Sequence, residues 1–89
     1  MAVVFFTSFF ATMTGEKSAR IEASTLGELC RKVIAKYGPQ MKVLLDGEGR
    51  LSRRVAILVD EKNAQALSGA DTPLEESSQV QIMPLLTGG

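Results

Sequence analysis

The feature that most constrains this 89-residue chain is a helix with one apolar stripe and legible ends. Thr25, followed three residues later by Glu28, has the spacing of a capping box, in which two side chains satisfy amides that the first helical turn leaves unpaired. Leu26, Leu29, Cys30, Val33, Ile34 and Tyr37 then recur along one helical face, while Glu28, Arg31, Lys32 and Lys36 take the solvent side. Gly38 and Pro39 stop the helix, glycine by tolerating a left-handed backbone and proline by having no N–H to continue the ladder. A helix of about three and a half turns cannot bury its stripe alone and must lie on another layer.

Strands supply that layer. Ala2 to Phe10 is rich in Val and Phe and reads as a first strand with apolar groups on both faces, Val3, Phe5 and Phe9 on one and Val4, Phe6 and Phe10 on the other, as in a central strand. The polar, glycine-containing run Thr12 to Lys17 reads as a turn. Beyond it Ala19, Ile21 and Ala23 alternate with Arg20 and Glu22, which predicts a second strand in a hairpin with the first. Met41 to Leu45 fits a short strand or a helical turn, and Asp46-Gly47-Glu48-Gly49 is turn-forming. Val55 to Val59 predicts a strand closed by Asp60 to Asn63, Ala64 to Leu74 a connection with a short helical turn, and Val80 to Met83 a last strand that Pro84 ends.

One amphipathic helix on one face of a mixed sheet of four to five strands is an α+β fold. With the last strand parallel beside the first it is the β-grasp, or ubiquitin-like, arrangement. The chain is expected to divide into a domain over residues 1–84 and a flexible tail over 85–89.

Composition removes several functions. Ten Lys+Arg balance ten Asp+Glu, so no net field favours a nucleic-acid or membrane partner. With 45% hydrophobic and 22% charged residues, an ordinary packed core is expected. Absence of His removes the usual general base and metal ligand, and a single Cys excludes a thiolate metal cluster or an intrachain disulfide. The apolar start has no Lys or Arg before Lys17 and is too short to span a bilayer, so the protein is expected in the cytoplasm. Neither a G-x-x-x-x-G-K-[ST] phosphate loop nor a dinucleotide fingerprint is present, so no bound cofactor is expected.

What remains is the chain end. Thr87-Gly88-Gly89 follows directly on the last predicted strand, and five residues beyond Pro84 extend on the order of 16–18 Å, enough to enter another protein's active site. Gly88 can take backbone angles closed to other residues, and Gly89 offers a carboxyl with little steric hindrance. A carboxylate is a poor electrophile and must be activated, usually as an acyl-adenylate made from ATP, which this chain has no means to do. Ordering five residues costs roughly 5–10 kcal/mol, so the folded body is expected to supply a docking surface. Taken alone, a glycine pair at a chain end fits a frayed terminus better; the element order and the strand that runs straight into it favour the functional reading. Cys30, on the apolar helix face, reads as a core residue. The Phe residues of the first strand fit either core or an exposed partner surface. A basic group, Lys42, Arg50, Arg53 and Arg54, and an acidic one, Asp71, Glu75 and Glu76, read as solvated faces or as charge that orients a partner.

Two stretches carry a family resemblance. Pro84-Leu85-Leu86-Thr87-Gly88-Gly89 matches the Pro-x-x-x-Gly-Gly close of the ubiquitin-like sulfur carriers of the MoaD/ThiS family, and Leu51 to Asp60 is similar to the corresponding strand of the sulfur carriers of bacterial cysteine synthesis. The chain departs from many relatives in Leu74-Glu75-Glu76-Ser77-Ser78 and in Asp60, where Asn is common. The resemblance implies a protein co-substrate rather than an enzyme. An E1-like enzyme would adenylate Gly89 with ATP, a sulfur donor would convert it to a thiocarboxylate, and a second enzyme would take the sulfur for cysteine, another sulfur amino acid, or a cofactor such as thiamin or molybdopterin. Gly88, Thr87, Leu86, Leu85 and Pro84 would contact the partner. A small subunit of a molybdopterin-synthase-like complex and a ubiquitin-like protein modifier are the alternatives.

Overall fold

The computed structural model describes residues 1–7 and 9–85. In chain order these form β1 (Ala2–Phe6), α1 (Phe9–Thr14), β2 (Ser18–Ile21), α2 (Leu26–Tyr37), a 3₁₀ helix (Pro39–Leu44), β3 (Val55–Val59), β4 (Lys62–Asn63), 3₁₀ turns at Ala64–Ala66 and Gly69–Asp71, and β5 (Gln79–Pro84).

The predicted helix has the predicted ends. Thr25 Oγ1 accepts from the Glu28 N–H at 3.2 Å, and Glu28 Oε1 accepts from the Ser24 N–H at 2.7 Å, so the reciprocal cap closes one residue upstream of Thr25. Gly38, at φ 101°, donates its N–H to the Ile34 carbonyl and turns the chain where an L side chain would be strained. Leu26, Leu29, Cys30 and Val33 are wholly buried, while Ile34 and Tyr37 are half-buried at the stripe's far end.

The five strands form one mixed sheet in the order β2-β1-β5-β3-β4. β1 pairs antiparallel with β2 and parallel with β5, setting Val4 beside Val80 and Phe6 beside Ile82. β3 pairs antiparallel with β5 on its other side. This is the expected α+β, ubiquitin-like β-grasp. The core lies between α2 and the sheet face bearing Val4, Phe6, Ile21, Val55, Ile57, Val59, Val80 and Ile82, and Met41 and Leu44 of the 3₁₀ helix close it at one end.

Four expectations are corrected. The first strand stops at Phe6, and Phe9 and Phe10 belong to α1. There Phe10 enters the core, Thr14 Oγ1 bonds the Phe10 carbonyl at 2.9 Å, and Gly15, at φ 77°, bonds the Ala11 carbonyl to end the helix, so tertiary packing overrides the strand preference of paired phenylalanines. The expected turn from Thr12 is therefore helical as far as Thr14, although the antiparallel pairing of β1 with β2 stands. β2 ends at Ile21, short of Ala23. Pro84 does not end the last strand but is part of it, opposite Val55.

Candidate functional site

The path of β5 explains how a proline sits inside the ladder. Residues 79, 81, 83 and 85 direct their amide groups toward β3, as the bond from the Leu85 N–H to the Arg54 carbonyl at 3.1 Å shows, so the amide position of residue 84 faces β1. On that side the β1 ladder already closes with the Thr7 N–H on the Ile82 carbonyl, and the Thr7 carbonyl accepts from Phe10 instead. The missing N–H of Pro84 therefore leaves no acceptor unserved. Strand β5 lies between β1 and β3 and carries the chain out of the sheet at Leu85, which is 43% exposed, while Pro84 is half-buried. The other predicted site residues, Leu86, Thr87, Gly88 and Gly89, lie outside the described residues.

The sheet face turned away from α2 has its own composition. Cross-strand register sets Phe5, Gln81 and Leu58 in one row and Met83 beside Ala56 in the next, with Leu85 beside Arg54 beyond them. Phe5 is 36% exposed, and Val3, Ala56, Leu58, Gln81 and Met83 are half-buried. An apolar strip thus leads along the open face to the point where the chain leaves the sheet. The phenylalanines divide: Phe6 and Phe10 are core, whereas Phe5 and Phe9 are exposed. The sequence left the phenylalanines of the first strand open between core and surface and gave no sign of Leu58, Ala56 and Met83, because only the pairing register brings them together.

The remaining reactive groups are structural. Burial raises the Cys30 thiol to about 12, so it stays protonated and shielded as predicted. Tyr37 is likewise raised to about 12, by partial desolvation and by the hydrogen bond its hydroxyl donates to Glu16 at 2.9 Å. Asp46 is lowered by accepting the Glu48 and Arg50 amides at 2.8 and 3.0 Å, which fixes the predicted turn. Among the described residues no three His, Cys, Asp or Glu side chains come together to hold a metal ion, and no helix is long and apolar enough to cross a membrane.

Comparison with known proteins places this geometry in context. The model of the ThiS family matches residues 3–89. The sulfur carrier protein CysO of Mycobacterium tuberculosis (strain ATCC 25618 / H37Rv) is 30% identical over 77 residues, covering 84% of this chain and 83% of that protein. The crystal structure of M. tuberculosis CysO superposes with a TM-score of 0.85 at 26% identity, covering 97% of this chain and all of that one. A chain of the crystal structure of the Amycolatopsis orientalis BexX/CysO complex superposes at 0.87 with 22% identity over the whole of both chains. The small archaeal modifier protein 1 of Methanosarcina acetivorans superposes at 0.84 with 21% identity, covering 99% and 95%. The last two likenesses concern the fold.

Proposed function

This chain belongs to the ThiS family, and from that membership we propose that it is a ubiquitin-like sulfur carrier of the CysO type, acting as a protein co-substrate whose Gly89 carboxyl is the reacting group. In the first step a Gly89 carboxylate oxygen attacks the α-phosphorus of ATP in an E1-like partner, forming the acyl-adenylate and releasing pyrophosphate. Sulfide from a donor then attacks the acyl carbon, AMP departs, and the thiocarboxylate remains. A second enzyme uses that sulfur for cysteine, another sulfur amino acid or a sulfur-containing cofactor.

The observation that carries this reading is the delivery of Leu85 from a central strand beside the open apolar strip. Four residues separate Leu85 from Gly89, inclusive of the latter, and span at most about 14 Å, so the carboxyl reaches a buried centre only if the partner closes over the sheet end. Ordering those residues costs roughly 4–8 kcal/mol. Burial of Phe5, Leu58, Met83 and Leu85 against the partner offsets that cost, at about 25 cal/mol per Å² of apolar surface removed from water. A five-residue peptide of the same terminal sequence lacks this contribution and is expected to be a poor substrate.

The test is pyrophosphate release from ATP by the E1-like enzyme of the same organism, with the full chain as co-substrate. Release that requires the chain and disappears on deletion of Gly89 supports the reading. Release indifferent to that deletion, or none at all, contradicts it.

A further inference from the structure

The formal charge of zero conceals a polar arrangement along the sheet. Arg53 and Arg54 flank the point where β5 leaves it, with Lys42 beside Arg54 and Arg50 beyond Arg53. The Arg54 carbonyl holds the Leu85 amide, Arg53 and Leu85 border one shallow depression together with Val55 and Ala56, and Arg54 and Lys42 border the next, which Asp46 also lines. Arg50 is paired with Asp46 and Glu48. Among the described residues no carboxylate lies in ion-pair range of Lys42, Arg53 or Arg54, and all three are exposed. At the opposite end of the same strands the balance reverses. Asp60 and Glu61 make the β3–β4 turn, Asp60 Oδ1 accepts from the Gln79 N–H at 2.9 Å, and Glu75 and Glu76 precede β5, with Lys62 as the local counter-charge.

We infer that the enzyme which receives the chain end presents an acidic rim, Asp and Glu side chains around the mouth of its channel, that pairs with Lys42, Arg53 and Arg54. The inference rests on the sulfur-carrier reading and specifies its partner. Any protein that closes over the four residues after Leu85 must come within about one Debye length, 8–10 Å at physiological salt, of these three cations. An apolar rim would strip their water without replacing it, and a basic rim would repel them. An acidic rim does neither. Because the acidic end lies at the far side of the sheet, the same rim repels the wrong orientation and turns an uncharged molecule tail-first during encounter. A nucleic-acid backbone fits less well: three cations flanked by Leu85, Val55 and Ala56, on a chain of zero net charge, would displace few counterions.

The experiment uses the full chain and the E1-like enzyme of the same organism, with pyrophosphate release as readout. The double variant Arg53→Glu/Arg54→Glu is expected to lower kcat/KM about tenfold or more at low salt, mainly through KM, with the deficit shrinking to about twofold near 0.5 M salt. Glu75→Lys/Glu76→Lys at the other end removes only the repulsion of the wrong orientation during encounter and no contact in the complex, so its loss should be no more than about twofold at low salt and should vanish near 0.5 M salt. Circular dichroism establishes folding, and Arg53→Gln/Arg54→Gln serves with a smaller expected loss if the reversal unfolds the chain. A folded variant that matches wild type at all salt concentrations overturns the acidic rim while leaving the sulfur-carrier reading intact. A wild-type chain that is never adenylated overturns both. Tight binding of polyuridylate that depends on Arg53 and Arg54 overturns the rim in favour of a nucleic-acid surface.

Discussion

On the side of the sheet that α2 covers, Val4, Phe6, Val55, Ile57, Val59, Val80 and Ile82 are buried. On the other side the residues between them, Val3, Phe5, Ala56, Leu58, Gln81 and Met83, are half-buried or exposed. Both faces are rich in apolar groups, yet only the first contributes a full share of stability, since hydrophobic free energy follows the area actually removed from water. On the proposed reading, the apolar groups of the second face are buried on association with the partner. Inner-face substitutions should therefore act on folding, and outer-face substitutions on recognition.

The largest effect is expected inside. Leu29→Ala removes a wholly buried side chain from α2 and should lower the unfolding free energy by about 3 kcal/mol, measured by urea titration. The molecules that stay folded should still be adenylated at the wild-type KM; a raised KM would show that the inner face takes part in recognition. Outside, Phe5→Ala/Leu58→Ala should raise the KM for the activating enzyme about tenfold while costing no more than about 1–2 kcal/mol of stability. Comparable losses of stability from both faces would erase the contrast between them.

Smaller changes sharpen the contrast. Thr25→Ala removes the oxygen that accepts the Glu28 amide and should cost about 1 kcal/mol without altering the KM. Asp60 and Glu61 form a two-residue turn with both φ values positive, 49° and 70°, a conformation that Asn-Gly adopts more readily. Glu61→Gly should consequently stabilise the fold by about 0.5–1 kcal/mol in the same urea titration. Asp60→Asn should be nearly neutral, since Asn keeps an oxygen for the Gln79 amide.

The smallest effect is a titration. Tyr37 is the sole tyrosine, and its pKa is raised from 10.0 to about 12 in the folded state, so its contribution to stability is complete below pH 10 and is lost as pH rises from there through 12. Phenolate absorbance of the folded protein should rise near pH 12, and Glu16→Gln should bring the midpoint down by removing the negative charge beside the hydroxyl. A midpoint unchanged by that substitution would remove Glu16 as a cause.

The sequence held more of the inner face than of the outer. The Thr25–Glu28 cap, the stripe from Leu26 to Val33 and the stop at Gly38 are local signals, and each appears where its spacing places it. Strand β3 coincides with the predicted Val55 to Val59 for the same reason. α1 was illegible because Phe9-Phe10 favours a strand by propensity, and only the burial of Phe10 against the rest of the fold decides otherwise. Pro84 reads as a stop because a lone strand reveals nothing about which neighbour its amides face; between a β1 that has ended and a β3 that continues, proline is harmless. The apolar strip of the outer face depends wholly on register, so Phe5 could be suspected but its companions Leu58, Ala56 and Met83 could not. The Gly88-Gly89 pair is a reading from residue type and from its place after a predicted strand, and it lies outside the described residues, whereas the neighbourhood of Arg53, Arg54 and Lys42 around the exit of β5 comes only from the fold.

The most direct measurement is the intact mass of the folded chain after incubation with ATP, a sulfide donor and the E1-like enzyme, followed by alkylation under native conditions. Cys30 is the sole cysteine and is buried with its thiol pushed up to about 12, so it should not react while the protein is folded. The account predicts the mass gain of an oxygen-to-sulfur exchange and one alkyl adduct, both mapped to the Gly89 end and both lost when Gly89 is deleted. An unchanged mass, or a gain that survives that deletion, would contradict it.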